Sequence, residues 1–140
     1  MTWATTRPAS AASAATSGVV SSKLRDAVIQ RDAEYVWATY VRFGDWPGTY
    51  RQWLRAQRIV CIVPAIDPDN PYPCGGKQEV DHVKDQPMMG KRAPDDEFHL
   101  VAMCQAHNTL HPPRRELRQA ERAYLQAWRD NTHSNTGSSA

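Results

Sequence analysis

Apolar and polar positions follow two different periods along this 140-residue chain. Ile29, Ala33, Val36, Trp37, Tyr40 and Val41 recur at helical spacing and form one stripe. They predict a helix capped by Ser21 or Ser22 and running to about Phe43. Gly44-Asp45-Trp46-Pro47-Gly48 is the turn that ends it. Thr49 to Arg58 predicts a short second helix with Tyr50, Trp53 and Leu54 on one side and Arg51, Arg55 and Arg58 exposed. The pattern then turns strand-like. Ile59-Val60-Cys61-Ile62-Val63 is an apolar run stopped by Pro64, and Glu79–Val83 and His99–Cys104 are two further short extended runs. Leu117, Ala120, Tyr124, Leu125 and Trp128 restore a helical stripe in a last helix from Arg114 to Asp130, after a break at Pro112-Pro113.

The connections between these elements differ in kind. Residues 64–76 hold four prolines and two glycines, a loop that delivers the tight bend Pro73-Cys74-Gly75-Gly76, whose backbone amides can point at a thiolate. Lys84–Phe98 is a polar loop long enough to suggest function. Residues 1–21 are mostly Ala, Ser and Thr, and 131–140 mostly Asn, Thr, Ser and Gly, so both ends are expected to be disordered. That leaves a helical extension over 22–58 and a domain over 59–130 with its own C-terminal helix, small enough for a structural metal to help.

Charge and cysteine content narrow the chemistry. The net charge of +2 hides a split: residues 23–58 and 112–130 are basic, while 59–111 carry eight acids against four Lys/Arg. Basic flanks around an acidic centre suit a polyanion meeting a cation-loaded site, though solvated helix faces give the same pattern. Three cysteines make no even disulfide framework. The N-terminus has no apolar signal segment, and no run approaches membrane-spanning length. A soluble, cytoplasmic chain with reduced, metal-binding thiols is expected.

Four of the five histidines and one cysteine fall within Glu79–His111. The stretch opens with Glu79-Val80-Asp81-His82-Val83, continues through His99-Leu100-Val101-Ala102-Met103-Cys104, and ends in Cys104-x2-His107-Asn108-x2-His111. An Asp-His pair on one short run and Cys-x2-His-Asn after another is a metal-and-base arrangement rather than ordinary core.

Over about residues 58–112 these motifs resemble the HNH endonuclease family. The resemblance implies an α+β fold: a small ββα-metal core, with a structural zinc pinning a hairpin to a helix, flanked by helices on both sides. It implies hydrolysis of double-stranded DNA to a 5′-phosphate and a 3′-hydroxyl. Asp81 matches the acid that holds a divalent cation, Mg²⁺ or Mn²⁺, and His82 the general base that takes a proton from the attacking water. Asn108 stands where the family places the second protein ligand of that cation. His99 departs from the pattern: it occupies the position of an Asn that orients the base and its loop. Many members are small phage or mobile-element proteins, so host cytoplasm, and packaging or recombination proteins as partners, are what the resemblance suggests.

The residues themselves propose a zinc site of Cys61, Cys74, Cys104 and His107, four soft ligands for a tetrahedral ion. Cys104-x2-His107 is the regular half. Cys61 and Cys74 stand 13 apart, with the proline-rich loop as an insertion between them, and a cysteine inside Ile-Val-Cys-Ile-Val is also ordinary buried core. Glu79 shares a strand face with Asp81 and is either a support for it or a solvated acid. His111 is a phosphate contact, a metal ligand or a surface histidine; the first is preferred. Arg51 and Arg55 before the core, and Arg115, Arg118 and Arg122 after it, are the expected DNA contacts. The aromatics beside Arg51 and Arg55 either stack on nucleic acid or pack inward. Nothing in the pattern fixes oligomeric state, and a homodimer is open. The alternative reading is a noncatalytic zinc-stabilised module that binds DNA or protein. A zinc hydrolase or deaminase is disfavoured, because neither His-x-Glu nor His-Glu-x-x-His occurs.

Overall fold

The computed structural model describes residues 20–84 and 93–138, with side chains through Thr132. The expected disordered lead (1–19 of it), the middle of the Lys84–Phe98 loop (85–92) and the side chain of His133 lie outside the described residues. The chain is α+β. Helix α1 covers Ser22–Thr39, α2 Tyr50–Ala56 and a single turn, α3, Val63–Ile66. Strands β1, Gln78–His82, and β2, Leu100–Cys104, follow, and then helix α4, Arg115–Ser138.

Helix α1 starts where the sequence predicts, with the Ser21 hydroxyl accepting from Leu24 N at 3.2 Å. It stops earlier, at Thr39, and a 3-10 turn over Val41–Phe43 carries the chain away from the core. Tyr40, part of the expected apolar stripe, is consequently exposed. Helix α2 is fixed by a capping box between Thr49 and Gln52. Its aromatics face inward: Tyr50 and Trp53 pack with Trp37 at ring separations of 5.9 to 6.1 Å. Of the two readings of this helix, self-packing accounts for the aromatics, and the arginines stay exposed.

The expected strand at Ile59–Val63 does not form. Val63 and Pro64 open α3 instead, because proline suits the first turn of a helix, where its missing N–H is not needed. The preceding residues still lie along β2: Ile62 N–H donates to the Ala102 carbonyl at 3.0 Å. The Gln78 side-chain amide completes the link, accepting from Val60 N at 2.6 Å and donating to the Val60 carbonyl at 2.8 Å. A side-chain amide thus does the work of a strand's peptide group.

Strands β1 and β2 pair antiparallel, with Asp81 opposite Val101 and His82 opposite Leu100. Two strands alone are marginal, and the open edge of β2 would leave peptide groups unpaired. Polar groups of α1 cover it. Asp32, fully buried, accepts from Ala102 N at 2.6 Å and from the Tyr124 hydroxyl at 2.5 Å. Arg31 donates to the carbonyls of Leu100, at 2.6 Å, and Glu97. The core is continuous through this contact, running from Ile29, Ala33 and Val36 through Trp53, Val60 and Ile62 to Val101, Met103, Leu117 and Leu125. Helix α4 runs on to Ser138, beyond the end at Asp130 that the apolar stripe predicts. Among the described residues, no helix is long and apolar enough to cross a membrane.

Candidate metal centre and basic cleft

Cys61, Cys74, Cys104 and His107 converge although 46 residues separate the first from the last. Cys61 comes from the run along β2, Cys74 from the proline-rich loop, Cys104 from the last position of β2, and His107 from the turn after it. Their ligand atoms all lie within 4.8 Å of one another, so the cluster could hold a metal ion such as zinc. His107 Nδ1 lies 3.1 Å from Cys104 Sγ, 3.6 Å from Cys61 Sγ and 3.7 Å from Cys74 Sγ. A tetrahedral zinc with ordinary Zn–S and Zn–N lengths has an S–N edge of about 3.5 Å. Donor chemistry and spacing both fit. All four sequence-predicted zinc residues are here, Cys61 included.

The local backbone explains the convergence. Gly76 has φ +82, and a Cβ there would meet the Gln105 side chain at 2.5 Å, so this bend requires glycine. Gln105 N–H donates to the Lys77 carbonyl at 2.9 Å and Ala106 N–H to Gly75 at 3.0 Å, tying the bend to the end of β2. A π-helical turn, Ala106–Leu110, is closed by His111 N–H on the Ala106 carbonyl. His107 Nε2 donates to the Tyr72 carbonyl at 2.6 Å, which leaves Nδ1 as the lone-pair nitrogen facing the sulfurs. Hydrogen bonds from Cys61 and Cys74, aided by the amides of Gly75 and His107, hold the Cys104 thiol far below its ordinary range. The same sharing pushes Cys61 up, and Cys74 up to about 11. The sequence gives no signal for Tyr72, since it acts through its carbonyl.

Of the residues expected to cut DNA, Asp81 and His82 end β1, His99 precedes β2 and Asn108 follows His107 in the turn after it, and each has a partner. Asp81 is buried, its Oδ2 2.5 Å from Arg118 Nη1. His82 Nε2 lies 2.6 Å from Asp95 Oδ1. Asn108 Nδ2 donates to Glu79 Oε1 at 2.9 Å, and Thr109 Oγ1 donates to the same oxygen at 2.6 Å. Glu79 is thus the support of Asn108. His99 Nδ1 is 2.7 Å from Asp96 Oδ1, and its carbonyl accepts from Val83 N–H, next to His82. No hydrogen bond joins Asp81 to Asn108 or His82 among the described residues. The Cys61, Cys74, Cys104 and His107 group is also the one set of three or more Cys, His or acidic side chains there with metal-holding geometry.

Arg118 and Glu121 make the Asp81 environment unusual. Arg118 Nη1 also donates to Glu121 Oε1 at 3.0 Å and to the His82 carbonyl at 3.3 Å. Glu121 is fully buried, and burial together with the neighbouring Asp81 charge pushes it up to about 9, against the pull of Arg118. Its sequence signal is its place four residues from both Leu117 and Leu125, on the buried stripe of α4.

A cleft of about 540 Å³ opens over this corner, lined by His82, Lys84, Arg115, Arg118, Gln119 and Arg122. Three of the five arginine positions predicted for DNA meet here beside the predicted base. Arg51 and Arg55 are exposed on α2 and do not line it. His111 lies in a separate groove of about 250 Å³, its ring stacked on Tyr72 at 3.8 Å and 3°. A larger cavity, about 740 Å³, is lined by Arg31, Tyr35, Tyr124 and Trp128 among others, with no histidine or cysteine among the described residues of its lining. Comparisons with protein-family models, with curated proteins and with solved structures give no match to this chain.

Proposed function

We propose that this chain is a metal-dependent nuclease of the HNH type that hydrolyses phosphodiester bonds of double-stranded DNA in the His82 cleft. The observation that carries the reading is the lining of that cleft: an imidazole set among Lys84, Arg115, Arg118 and Arg122, directly after a buried aspartate. Four cations around one histidine suit a phosphate-bearing polymer, since phosphate neutralisation supplies most nonspecific affinity. His82, its Nε2 held by Asp95, is the base that takes the proton of the attacking water. A divalent cation held by Asp81, with Asn108 as the ligand the family pattern suggests, would stabilise charge on the phosphorus and the leaving oxygen. Hard oxygen ligands fit Mg²⁺ or Mn²⁺. The zinc at Cys61, Cys74, Cys104 and His107 is structural in this reading. His107 belongs to the staple, and its neighbour Asn108 faces Glu79. The hairpin of β1 and β2 followed by a helical turn agrees with a ββα-metal core.

A noncatalytic zinc-stabilised binding module is the second reading, and one contact favours it: Arg118 already neutralises Asp81. Incubating supercoiled plasmid with the protein and Mg²⁺ or Mn²⁺ separates the two. Nicked or linear DNA from the wild type, absent with His82→Ala, is expected. Equal cutting by both proteins, or none by either, would remove the nuclease reading.

A further inference from the structure

Three oxygens converge on a single nitrogen at the floor of the cleft. Asp81 Oδ2, Glu121 Oε1 and the His82 carbonyl lie 2.5, 3.0 and 3.3 Å from Arg118 Nη1. An arginine Nη carries two hydrogens, so it cannot direct a linear bond to all three. The second Glu121 oxygen, Oε2, is buried with no donor to satisfy it, and the Asp81 carboxylate lies within hydrogen-bond reach of the same side chain. Asp81 and Glu121 are both acceptors when ionised, so their carboxylates can face each other only across a proton or a cation. An overloaded guanidinium on one side and two facing acids with only a proton to share between them on the other describe a cage shaped for a different cation.

We propose that Asp81, Glu121 and the His82 carbonyl form a divalent-cation site, and that Arg118 Nη1 stands in for the ion until it arrives. The proposal rests on the nuclease reading for its purpose and deepens it by naming Glu121, from α4, as a ligand of the same site. Hard cations of the Mg²⁺ and Mn²⁺ kind prefer such oxygens, and Mg²⁺ binds at about 2.0 to 2.1 Å, closer than the nitrogen can approach. Two carboxylates balance one divalent charge, which frees the guanidinium. Arg118 is one-third exposed and lines the cleft, so it moves outward to a bound phosphate without crossing the core. Metal and DNA binding then favour each other, because the ion releases a cation to the phosphate.

The test is Mn²⁺ binding to the zinc-loaded full chain, read from the free-ion resonance signal during titration. Zinc content and circular dichroism check that each variant is folded. Wild type is expected to bind one Mn²⁺, Glu121→Gln to bind it about tenfold or more weakly, and Arg118→Met to bind it more tightly because the competitor is gone. A purely structural salt bridge would not tighten metal binding when its arginine is removed. No Mn²⁺ uptake by wild type, wild-type affinity in Glu121→Gln, or unimproved affinity in Arg118→Met would each overturn the site. Plasmid cutting on the same samples separates the two ideas. Glu121-dependent Mn²⁺ binding without cutting would sink the nuclease reading and leave the site standing. Cutting with Glu121-independent Mn²⁺ binding would do the reverse.

Discussion

The two ends of the β1–β2 hairpin hold polar groups under opposite rules. At the thiol end, four side chains with metal-ligating atoms meet at one point, and the groups around them aim them: Tyr72 fixes the His107 tautomer, and the Gly75 amide supports Cys104. At the cleft end, Asp81 and His82 point at different protein partners, Arg118 and Asp95, while Asn108 sits beside His107 at the other end and faces Glu79. One centre is a closed cluster of four side chains whose geometry could hold a metal. The other is a set of ion pairs on the wall of an open basic cleft. Soft thiols have few competing partners inside a protein, so a thiol cluster is seen directly, whereas carboxylates and arginines pair with each other and hide what else they bind.

Breaking the closed end should have the largest effect. Binding energy of a structural zinc is folding energy, about 10 kcal/mol or more in small zinc domains. Cys104→Ser, or chelation of the wild type, is therefore expected to lose the metal and unfold the hairpin, seen as loss of cooperative melting. Full zinc content in Cys104→Ser would contradict the four-ligand assignment. Breaking the open end should leave fold and zinc intact while removing function. In His82→Ala the cutting rate is expected to fall by about a hundredfold or more, the usual scale for losing a general base.

How much of this was legible in the sequence divides along the same line. The membership of the Cys/His cluster is readable, Cys61 included, because residue type and spacing restrict what three cysteines and a histidine can do. Helices α1, α2 and α4 followed from their stripes. The run at Ile59–Val63 does not become a strand: Ile62 bonds to β2, but the peptide groups of Val60 are met by the Gln78 side chain, and Pro64 turns the chain into α3. Asp32 and Glu121, both buried acids, were not picked out. Their partners, Ala102 N–H for one and Asp81 with Arg118 for the other, come from elements far along the chain, and no local pattern announces them.

Smaller effects sharpen the cleft. Replacing Arg115 and Arg122 by alanine is expected to weaken DNA binding at all sequences alike and to reduce the log–log salt slope by about one per residue. An unchanged slope would place the phosphate contacts elsewhere. The subtlest test uses Glu121, whose folded-state value near 9 lies above its ordinary 4.5. A raised carboxylate contributes stability that is fully present below the unfolded value and is lost as pH rises through the folded one. Without added Mg²⁺ or Mn²⁺, the wild-type melting temperature should fall relative to that of Glu121→Gln between pH 6 and about 9. A constant difference across that range would mean that Glu121 is ionised in the fold.

The division between a structural zinc and a cutting site is tested most directly by supercoiled plasmid exposed to zinc-replete His82→Ala with Mn²⁺, beside the wild type. Intact plasmid from a variant that still carries its zinc, against nicked or linear DNA from the wild type, is the expected result. Cutting at the wild-type rate by that same zinc-loaded variant would contradict it.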